Sequence, residues 1–377
     1  MSAPHGSLWL NHSFMSISVR SFAKINLGLR IGALRPDGFH ELRTVYQTIA
    51  LHDEVHVSVV RGSGVEIRCN DPRVPRDSTN TCFRIVDCAM EVLKERGRVV
   101  IEIEKRLPVQ GGLGGASSNA VAALLALELA LKQKLSDLEK LRIAAEVGSD
   151  LPLFLVCGTV LGVGRGEEVY PLPDLPSAPC VVATPEIAVS TPKAFADWDS
   201  LCGAGAPARE LAEHGSAWTG EGARPHMATG DAGGSRDSKL TSPTPSDRML
   251  EVSREISAWL SAGPASGRRR SGVSAKTKSG GRAETLQLDL VRTGIENDFE
   301  RVVFPQHPEL RKVKSVLERA GARYASLSGS GSAIYGLFDS REKAVVAAKK
   351  LNQNGTAAVV TSTLTRRQYW KRLQISD

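Results

Sequence analysis

The fold is decided by a glycine-rich loop and the apolar stretch after it, P-V-Q-G-G-L-G-G-A-S-S (residues 108–118) and N-A-V-A-A-L-L-A-L-E-L-A-L-K-Q-K (residues 119–134). The glycines at 111, 112, 114 and 115 let the backbone turn several N–H groups toward one ligand at close range. The Ala/Leu stretch predicts a buried helix that begins near Ser117 and adds its positive end. A flexible glycine turn is the alternative, but a long helix directly after the loop favours a phosphate-binding cradle.

The loop differs from two common phosphate-binding motifs. No Gly-Lys-Ser/Thr closes it, so it is not a Walker A loop. The spacing G-x-G-x-x-G is only approximate, and no acidic residue follows about 20 residues later in a βαβ unit, as a dinucleotide-binding fold requires. The loop therefore predicts an anionic ligand without deciding which one.

Composition and charge narrow the class of protein. The chain has 377 residues, 41% of them hydrophobic and 24% charged, which predicts a folded protein of two to three domains. The net charge of +7 fits nucleic acid, an anionic membrane or a phosphorylated small molecule. The six cysteines form no C-x-x-C pair, which argues against zinc and a secreted disulfide framework and favours the cytoplasm. No uncharged apolar run reaches the ~18 residues of a membrane helix.

The first half of the chain predicts mixed helices and strands. Residues 17–103 contain short alternating stretches rich in Val and Ile, which predict strands, with one helix at about residues 80–96. The segment S-D-L-E-K-L-R-I-A-A-E-V-G predicts a helix with Ser136 as N-cap, Glu139 completing a capping box and Gly148 at its end.

The second half predicts an insert and a second domain. Residues 203–282 are rich in Gly, Ser, Pro and Arg and predict a disordered low-complexity insert, interrupted by a short helix from Met249 to Leu260. Helix, strand and helix then alternate, as in an α+β domain. The predicted organisation is a disordered extension at residues 1–14 with Met15 as an alternative start, an N-terminal domain at residues 15–183, and a C-terminal domain at residues 184–377.

Two ionisable residues stand in apolar surroundings. Lys24 lies in F-A-K-I-N-L, and Asp150 follows the predicted helix end in V-G-S-D-L-P-L-F. Phosphoryl transfer needs a carboxylate for the acceptor hydroxyl and cations that stabilise the charge of the moving phosphate. From these features alone, a structural role is the simpler interpretation: a turn carboxylate for Asp150 and a solvated strand residue for Lys24.

Five motifs in order resemble the GHMP small-molecule kinase superfamily. They are F-A-K-I-N-L (22–27), R-P-D-G-F-H-E-L-R-T (35–44), K-R-L-P-V-Q-G-G-L-G-G-A-S-S-N-A (105–120), G-S-D-L-P-L-F (148–154) and S-L-S-G-S-G-S (326–332). The glycine loop is common to the superfamily. The segment D-G-F-H-E-L-R-T after A-K-I-N-L selects the member whose acceptor carries a cytidine diphosphate. The resemblance covers most of the chain outside the predicted insert.

The resemblance implies an α+β fold with an N-terminal ribosomal-protein-S5-like domain, a C-terminal ferredoxin-like domain and substrates in the cleft between them. It implies that ATP, with Mg²⁺, phosphorylates the 2-hydroxyl of the methylerythritol moiety of a cytidine diphosphate sugar alcohol, a step toward isoprenoid precursors in the non-mevalonate pathway. The family's catalytic pair falls on Asp150, which would orient or deprotonate the hydroxyl, and on Lys24, which would keep this carboxylate ionised.

The resemblance also assigns the residues that contact ATP. Ser117 and Ser118 are either contacts to phosphate or Mg²⁺ or N-caps of the helix. Lys105 is either a contact to the nucleotide or a solvated charge beside the loop. The phosphates of ATP would be bound by Pro108, Val109, Gln110, Gly111, Gly112, Leu113, Gly114, Gly115, Ala116, Ser117 and Ser118.

Substrate contacts follow from the same resemblance. Phe39 and His40 match the positions where the family binds cytosine, through ring stacking and recognition of the base edge. Phe195 matches a second stacking aromatic residue, and Thr191 and Asn26 match polar contacts to the substrate. Alternatives are a buried packing role for Phe195 and a core histidine for His40.

The chain departs from the family pattern at a few positions. Phe39 stands where family members often have tyrosine, which keeps the stacking and loses a hydroxyl. Gln110 and Ala116 stand where relatives commonly have glycine, and we expect a slightly repositioned loop because Ala116 tolerates little positive-φ strain.

Two other functions stay open from the sequence. Another GHMP kinase, of the homoserine or mevalonate type, would accept a substrate without the cytidine moiety. A nucleic-acid-binding protein would use basic residues of the insert, which are Arg268, Arg269, Arg270, Lys276, Lys278 and Arg282. The insert also carries acidic residues and lacks stacking aromatic residues. We therefore expect small-molecule substrates and neither nucleic acid nor membrane. The sequence does not specify the oligomeric state or the metal ligands.

Overall fold

The computed structural model describes residues 16–202 and 296–375. The extension predicted at residues 1–14 and the insert predicted at about 203–282, with its short helix from Met249 to Leu260, lie outside the described residues. No described helix is long and apolar enough to span a membrane.

The described residues form two sheets with helices packed on them. The strands are β1 (Ile17–Leu34), β2 (His40–Val60), β3 (Gly64–Cys69), β4 (Arg98–Glu104), β5 (Thr159–Val163), β6 (Glu168–Pro171), β7 (Pro179–Ala183), β8 (Tyr324–Leu327), β9 (Ile334–Leu337) and β10 (Ala358–Ser362). The helices are α1 (Thr81–Leu93), α2 (Gly115–Leu131), α3 (Asp137–Val147), α4 (Leu153–Val156), α5 (Thr191–Cys202), α6 (Glu300–Gln306), α7 (Pro308–Arg319), α8 (Arg341–Gln353) and α9 (Arg366–Leu373).

The first sheet is built around two long strands. Its order is β3-β4-β2-β5-β6, and β1 pairs with β2 antiparallel. The stretches T-V-Y-Q-T-I-A-L and E-V-H-V-S-V-V, which predict separate strands, are both part of β2. The polar pair His52 and Asp53 between them does not end the strand. The buried Asp53 carboxylate accepts hydrogen bonds from Lys105 Nζ at 2.6 Å and from the Leu107 N–H at 2.7 Å, so its charge is satisfied within the fold.

Helices α1, α2 and α3 share one hydrophobic core with this sheet. The predicted helix after the loop is α2, which begins at Gly115 rather than near Ser117 and packs against β1 and β2. The predicted capping box of α3 is confirmed. The Ser136 hydroxyl accepts the Glu139 N–H at 3.2 Å, and the helix ends at Gly148.

The second sheet has the order β10-β7-β9-β8 and is antiparallel throughout. Helix α7 follows β7 and precedes β8, and α8 connects β9 to β10, which gives the β-α-β-β-α-β sequence of a ferredoxin-like domain. The α+β fold class is therefore confirmed. Strand β7 (Pro179–Ala183) already belongs to this second sheet. The chain therefore passes from the first sheet to the second between β6 and β7, before the domain boundary predicted at residue 183.

A third cluster of buried apolar residues joins the two sheets. Ile25 and Leu27 of β1 pack there with Val182 of β7 and Tyr335 of β9. Leu113, in the middle of the glycine loop, is part of the same cluster. The loop is thus anchored at the junction of the two domains, and Lys24 lies in β1 directly beside this anchor.

Candidate functional site

The glycine loop is locked against the motif at residues 326–332 of the second domain. Gly112 has φ +73°, and a Cβ at this position would lie 2.1 Å from the Ser328 carbonyl oxygen, so only glycine fits. The Ser328 hydroxyl donates to the Gly112 carbonyl at 2.9 Å, and the Ala333 N–H donates to the Gly111 carbonyl at 3.1 Å. Two glycine- and serine-rich loops far apart in the sequence therefore support each other.

The two departures from the family glycine pattern have different outcomes. Gln110 adopts φ +61°, so this side chain sits in the left-handed region that favours glycine. Ala116 lies in the first turn of α2 and has no positive φ, so it needs no glycine. The strain that we expected at Ala116 is therefore absent, because the helix begins before this residue.

The first turn of α2 presents free N–H groups. The intrahelical hydrogen bonds begin with the Ser118 N–H, which donates to the Gly114 carbonyl at 2.8 Å. The N–H groups of Gly115, Ala116 and Ser117 precede it and have no carbonyl within the helix to bond, as at every helix start. This turn can therefore bind an anion through backbone donors and the helix dipole.

The two serines of the loop differ in their surroundings. Gly114 occupies the N-cap position, so neither serine caps the helix. The Ser118 hydroxyl is buried 2.7 Å from the Ser21 hydroxyl, whereas Ser117 is half-buried. Gln110 and Ala116 are exposed. Of the other predicted ATP contacts, Gly111, Leu113 and Ser118 are buried, and Pro108, Val109, Gly112, Gly114, Gly115 and Ser117 are half-buried.

The structure brings the predicted catalytic pair together beside this turn. Lys24 Nζ lies 3.6 Å from Asp150 Oδ2. Lys24 comes from β1, whereas Asp150 comes from the turn between α3 and α4. A Cβ at Gly114 would lie 3.0 Å from Lys24 Cγ, so the lysine stem runs along the glycine loop. The predicted catalytic pair therefore lies beside the glycine loop.

Lys24 is held in a buried position by polar partners. Only 4% of its side chain is exposed, and burial lowers the pKa of Lys24, an effect that the negative charge of Asp150 offsets in part. Lys24 Nζ donates to Asn26 Oδ1 at 2.7 Å, and Asn26 Nδ2 donates to the Thr44 hydroxyl at 2.7 Å. Both ends of the Asn26 amide are thus engaged within the protein, and its contact with the substrate stays a prediction.

Tyr46 contacts the same carboxylate, and no motif in the sequence pointed to this residue. Its hydroxyl donates to Asp150 Oδ1 at 3.0 Å, and Lys24 Nζ lies 5.4 Å from the centroid of its ring. Burial, with the charge of Asp150, raises the pKa of Tyr46 well above its usual value, so the phenol keeps its proton. In the sequence Tyr46 occupies a core-facing strand position, where nothing local distinguishes it from a packing aromatic residue.

Two of the predicted substrate residues stack on each other. The rings of His40 and Phe195 are nearly parallel, with centroids 5.0 Å apart and an interplanar angle of 10°. Phe299 meets Phe195 edge-on at 5.0 Å. His40 Nε2 lies 2.7 Å from Asp199 Oδ1, a partner that fixes the orientation of the imidazole. Phe195 is half-buried, so part of this aromatic group faces outward.

The other predicted substrate residues, Phe39 and Thr191, have separate partners. The guanidinium of Arg165 lies 4.9 Å from the centroid of the Phe39 ring. The Thr191 hydroxyl lies 2.7 Å from the hydroxyl of Ser330, which belongs to the motif at residues 326–332. Stacking of cytosine by Phe39 and Phe195 stays a prediction.

Lys105 is a buried ion-pair partner. Its side chain is 6% exposed, and its Nζ lies 2.6 Å from Asp53 Oδ2. A Cβ at Gly115 would lie 3.1 Å from Lys105 Nζ, so the lysine ammonium lies close to the first residue of α2. The Arg106 N–H also donates to Asp53, at 2.7 Å. The alternative of a solvated charge is therefore wrong, and the pair fixes the chain where it enters the loop.

A cluster of potential metal ligands lies on β2 and β4. Among the described residues, the ligand atoms of Glu54, His56 and Glu104 lie within 4.8 Å of one another. Arg106 forms salt bridges with Glu54 at 2.8 Å and with Glu104 at 2.9 Å. Both carboxylates therefore already have a cation, on the face of the sheet opposite the buried Val55.

Comparison with known proteins identifies both domains. Residues 80–158 match the GHMP kinases N terminal domain, and residues 283–357 match the GHMP kinases C terminal domain. The fold resembles a crystal structure of 4-(cytidine 5'-diphospho)-2C-methyl-D-erythritol kinase, with 26% identity, a TM-score of 0.60 and coverage of 92% of this chain and 99% of that one. The homoserine kinase of Cytophaga hutchinsonii has the same fold, with a TM-score of 0.62, 19% identity and coverage of 96% and 98%.

Full-length relatives narrow the family. A 4-diphosphocytidyl-2-C-methyl-D-erythritol kinase of Solibacter usitatus is 34% identical over 94% of this chain and 92% of its own length. The enzyme of the same name from Acaryochloris marina is 32% identical over 89% of this chain and 91% of its own length. With the glycine loop, the Lys24–Asp150 pair and both domains in place, the chain belongs to the 4-diphosphocytidyl-2-C-methyl-D-erythritol kinase family of the GHMP kinases.

Proposed function

We propose that this protein uses ATP to phosphorylate the 2-hydroxyl of 4-diphosphocytidyl-2-C-methyl-D-erythritol, in the pathway to isoprenoid precursors that does not pass through mevalonate. The observation that carries the proposal is the Lys24–Asp150 pair beside the first turn of α2, with 3.6 Å between Nζ and Oδ2. A phosphate-binding turn with an acceptor-side carboxylate within reach is the arrangement that phosphoryl transfer to an alcohol requires. The names of its relatives supply the acceptor.

In the proposed reaction the acceptor oxygen attacks the γ-phosphorus of ATP. The bond from that phosphorus to the β,γ-bridging oxygen breaks, and ADP leaves. Asp150 orients the hydroxyl and takes its proton, while the Lys24 ammonium stabilises negative charge near the reacting oxygens. The N–H groups of the first turn of α2 hold the phosphates in line.

We propose Mg²⁺ as the companion of ATP. The half-buried Ser117 hydroxyl offers an oxygen ligand at the loop, and Mg²⁺ usually completes its coordination with substrate phosphates and water. This hydroxyl therefore fits the ion. When bound, Mg²⁺ neutralises charge on the β- and γ-phosphates.

At the other end of the substrate, the cytosine would bind beside the aromatic group of His40 and Phe195. Phe39 would stack on the base, and His40, held by Asp199, would read its edge. The proposed partners are thus ATP and a cytidine diphosphate sugar alcohol, without nucleic acid or membrane. The cytoplasmic location stays a prediction from the cysteines.

The decisive experiment is an acceptor panel. The purified protein is incubated with ATP, Mg²⁺ and sugar alcohols, each free and as its cytidine diphosphate conjugate, together with homoserine and mevalonate. Phosphorylation of the methylerythritol conjugate alone supports the proposal. Preference for an acceptor without cytidine would assign another GHMP kinase activity instead.

Asp150→Asn tests the role of the carboxylate in the same assay. General-base catalysis typically contributes ~10²–10⁴-fold, so we expect kcat to fall by about that factor while ATP affinity is nearly unchanged. Asp137→Asn is the matched control, because the Asp137 side chain is almost fully exposed at the start of α3. An Asp150→Asn enzyme with the kcat of the wild type would refute the assignment.

A further inference from the structure

We infer that Tyr46 is a positioning residue for the phosphoryl transfer, because its hydroxyl holds the Asp150 carboxylate in one orientation. The inference rests on the proposed function for the role of Asp150 and deepens it. The hydroxyl donates to Asp150 Oδ1 at 3.0 Å, while Lys24 Nζ approaches Oδ2 at 3.6 Å. The carboxylate is therefore bound from two sides by groups on two different strands.

The direction of this hydrogen bond is fixed by the chemistry of the two groups. A carboxylate can only accept, and the phenol of Tyr46 keeps its proton because burial and the charges of Asp150 and Glu167 raise the pKa of Tyr46. Oδ1 is thus occupied by Tyr46. Oδ2, on the side of Lys24, is not engaged by Tyr46, and we assign it as the oxygen that takes the proton of the acceptor hydroxyl.

The surrounding backbone is shaped to receive a tyrosine. A Cβ at Gly162 of β5 would lie 2.5 Å from Tyr46 Cε2, and a Cβ at Gly166 would lie 2.7 Å from the Tyr46 hydroxyl. Gly166 belongs to the turn between β5 and β6 and has φ +107°, which disfavours any side chain. One glycine thus makes room for the ring and the other for the hydroxyl.

Kinetics of Tyr46→Phe test the inference directly. The change removes one oxygen and keeps the ring, so we expect a folded protein with kcat lowered about 10- to 100-fold, as for the loss of one hydrogen bond to a charged group. KM for ATP and for the acceptor should stay near the wild-type values, because Tyr46 acts through Asp150. Tyr170→Phe is the matched control, since Tyr170 on β6 is 52% exposed and outside the site. A kcat equal to that of the wild type would overturn the inference.

A second variant reaches the same hydroxyl from the backbone side. Gly166→Ala should displace the Tyr46 hydroxyl and lower kcat as Tyr46→Phe does, and the double variant should be no worse than the single ones. Gly64→Ala controls for backbone strain, because Gly64 has φ +87° with no atom within 4 Å of its added Cβ. Independent, multiplying effects of Tyr46→Phe and Gly166→Ala would contradict a shared action on the hydroxyl.

A measurement without turnover separates this inference from the proposed function. In protein labelled with ¹³C at the aspartate carboxyl carbons, Asp150→Asn identifies the Asp150 signal by its loss. In Tyr46→Phe the chemical shift of this signal should differ from the wild-type value, because the carboxylate loses a donated hydrogen bond, whereas Tyr170→Phe should leave it unmoved. An unmoved signal in Tyr46→Phe would refute the Tyr46–Asp150 link even in an active enzyme. A moved signal in a protein that phosphorylates no methylerythritol conjugate would instead keep the link and reject the proposed substrate.

Discussion

Removal of the Lys24 charge should disable the enzyme without unfolding it. Lys24→Met keeps the length and apolar stem of a side chain that is 4% exposed and takes away the ammonium 3.6 Å from Asp150 Oδ2. The amide oxygen of Asn26, which accepts from Lys24 Nζ at 2.7 Å, loses its donor. The variant therefore removes one positive charge from the site together with one hydrogen bond to Asn26.

The geometry sets the size of the effect. Two unit charges about 4 Å apart interact by about 4 kcal/mol at an effective dielectric constant of about 20. Because 35% of the Asp150 side chain is exposed, water screens the pair, and we take about half of this value, ~2 kcal/mol. The same ammonium attracts the negative charge that develops on the reacting oxygens during transfer with an energy of the same order, so at ~1.4 kcal/mol per factor of ten kcat should fall by about 30-fold.

The pH dependence gives a second and independent signature. Burial lowers the pKa of Lys24, and the charge of Asp150 raises it only in part, so the ammonium loses its proton below the usual pH range of lysine. Wild-type kcat should therefore fall on the alkaline side, and this limb should be absent from Lys24→Met.

The assay is ADP release at saturating ATP and acceptor across the pH range, with thermal unfolding measured on the same samples. Lys24→Arg serves as the control that restores charge but not the compact ammonium. A Lys24→Met enzyme with wild-type kcat and an intact alkaline limb would refute the reasoning, and Lys24 would then be a structural strand residue. A lower kcat with the alkaline limb unmoved would contradict the electrostatic explanation.

Two further substitutions test the loop contact and the substrate end of the site. Gly112→Ala should lower the melting temperature and raise KM for ATP, because the new Cβ would meet the Ser328 carbonyl at 2.1 Å. Thermal unfolding measures the melting temperature, and initial rates at varied ATP concentration measure KM. The control is Gly64→Ala, where φ is also positive but no atom lies within 4 Å of the new Cβ, and it should leave KM for ATP unchanged. Phe195→Ala removes the ring that stacks on His40. Because one base–aromatic stack contributes ~1–3 kcal/mol, KM for the acceptor should rise about 10- to 100-fold, while KM for ATP stays unchanged. A lower melting temperature with an unaltered acceptor KM would instead make Phe195 a core residue.

The local features of this protein could be predicted from its amino-acid sequence. The glycine loop, the buried α2 and the capping box from Ser136 to Glu139 could all be predicted, because backbone conformation and helix propensity depend on neighbouring residues. The motifs also pointed to Lys24 and Asp150 as a pair. The α+β class followed from the alternation of strand and helix patterns, and the two-domain topology from the family resemblance.

The tertiary structure alone decided which distant groups meet. Tyr46 reaches Asp150 across more than a hundred residues of chain, and the Asp53 carboxylate binds Lys105 from the neighbouring strand. The long β2 continues through Asp53 only because that charge finds its partners in the chain directly after β4. A polar residue in a strand has the same local sequence pattern whether it binds a buried partner or faces water. Its role therefore depends on contacts that neither spacing nor composition encodes, and the fold supplies them.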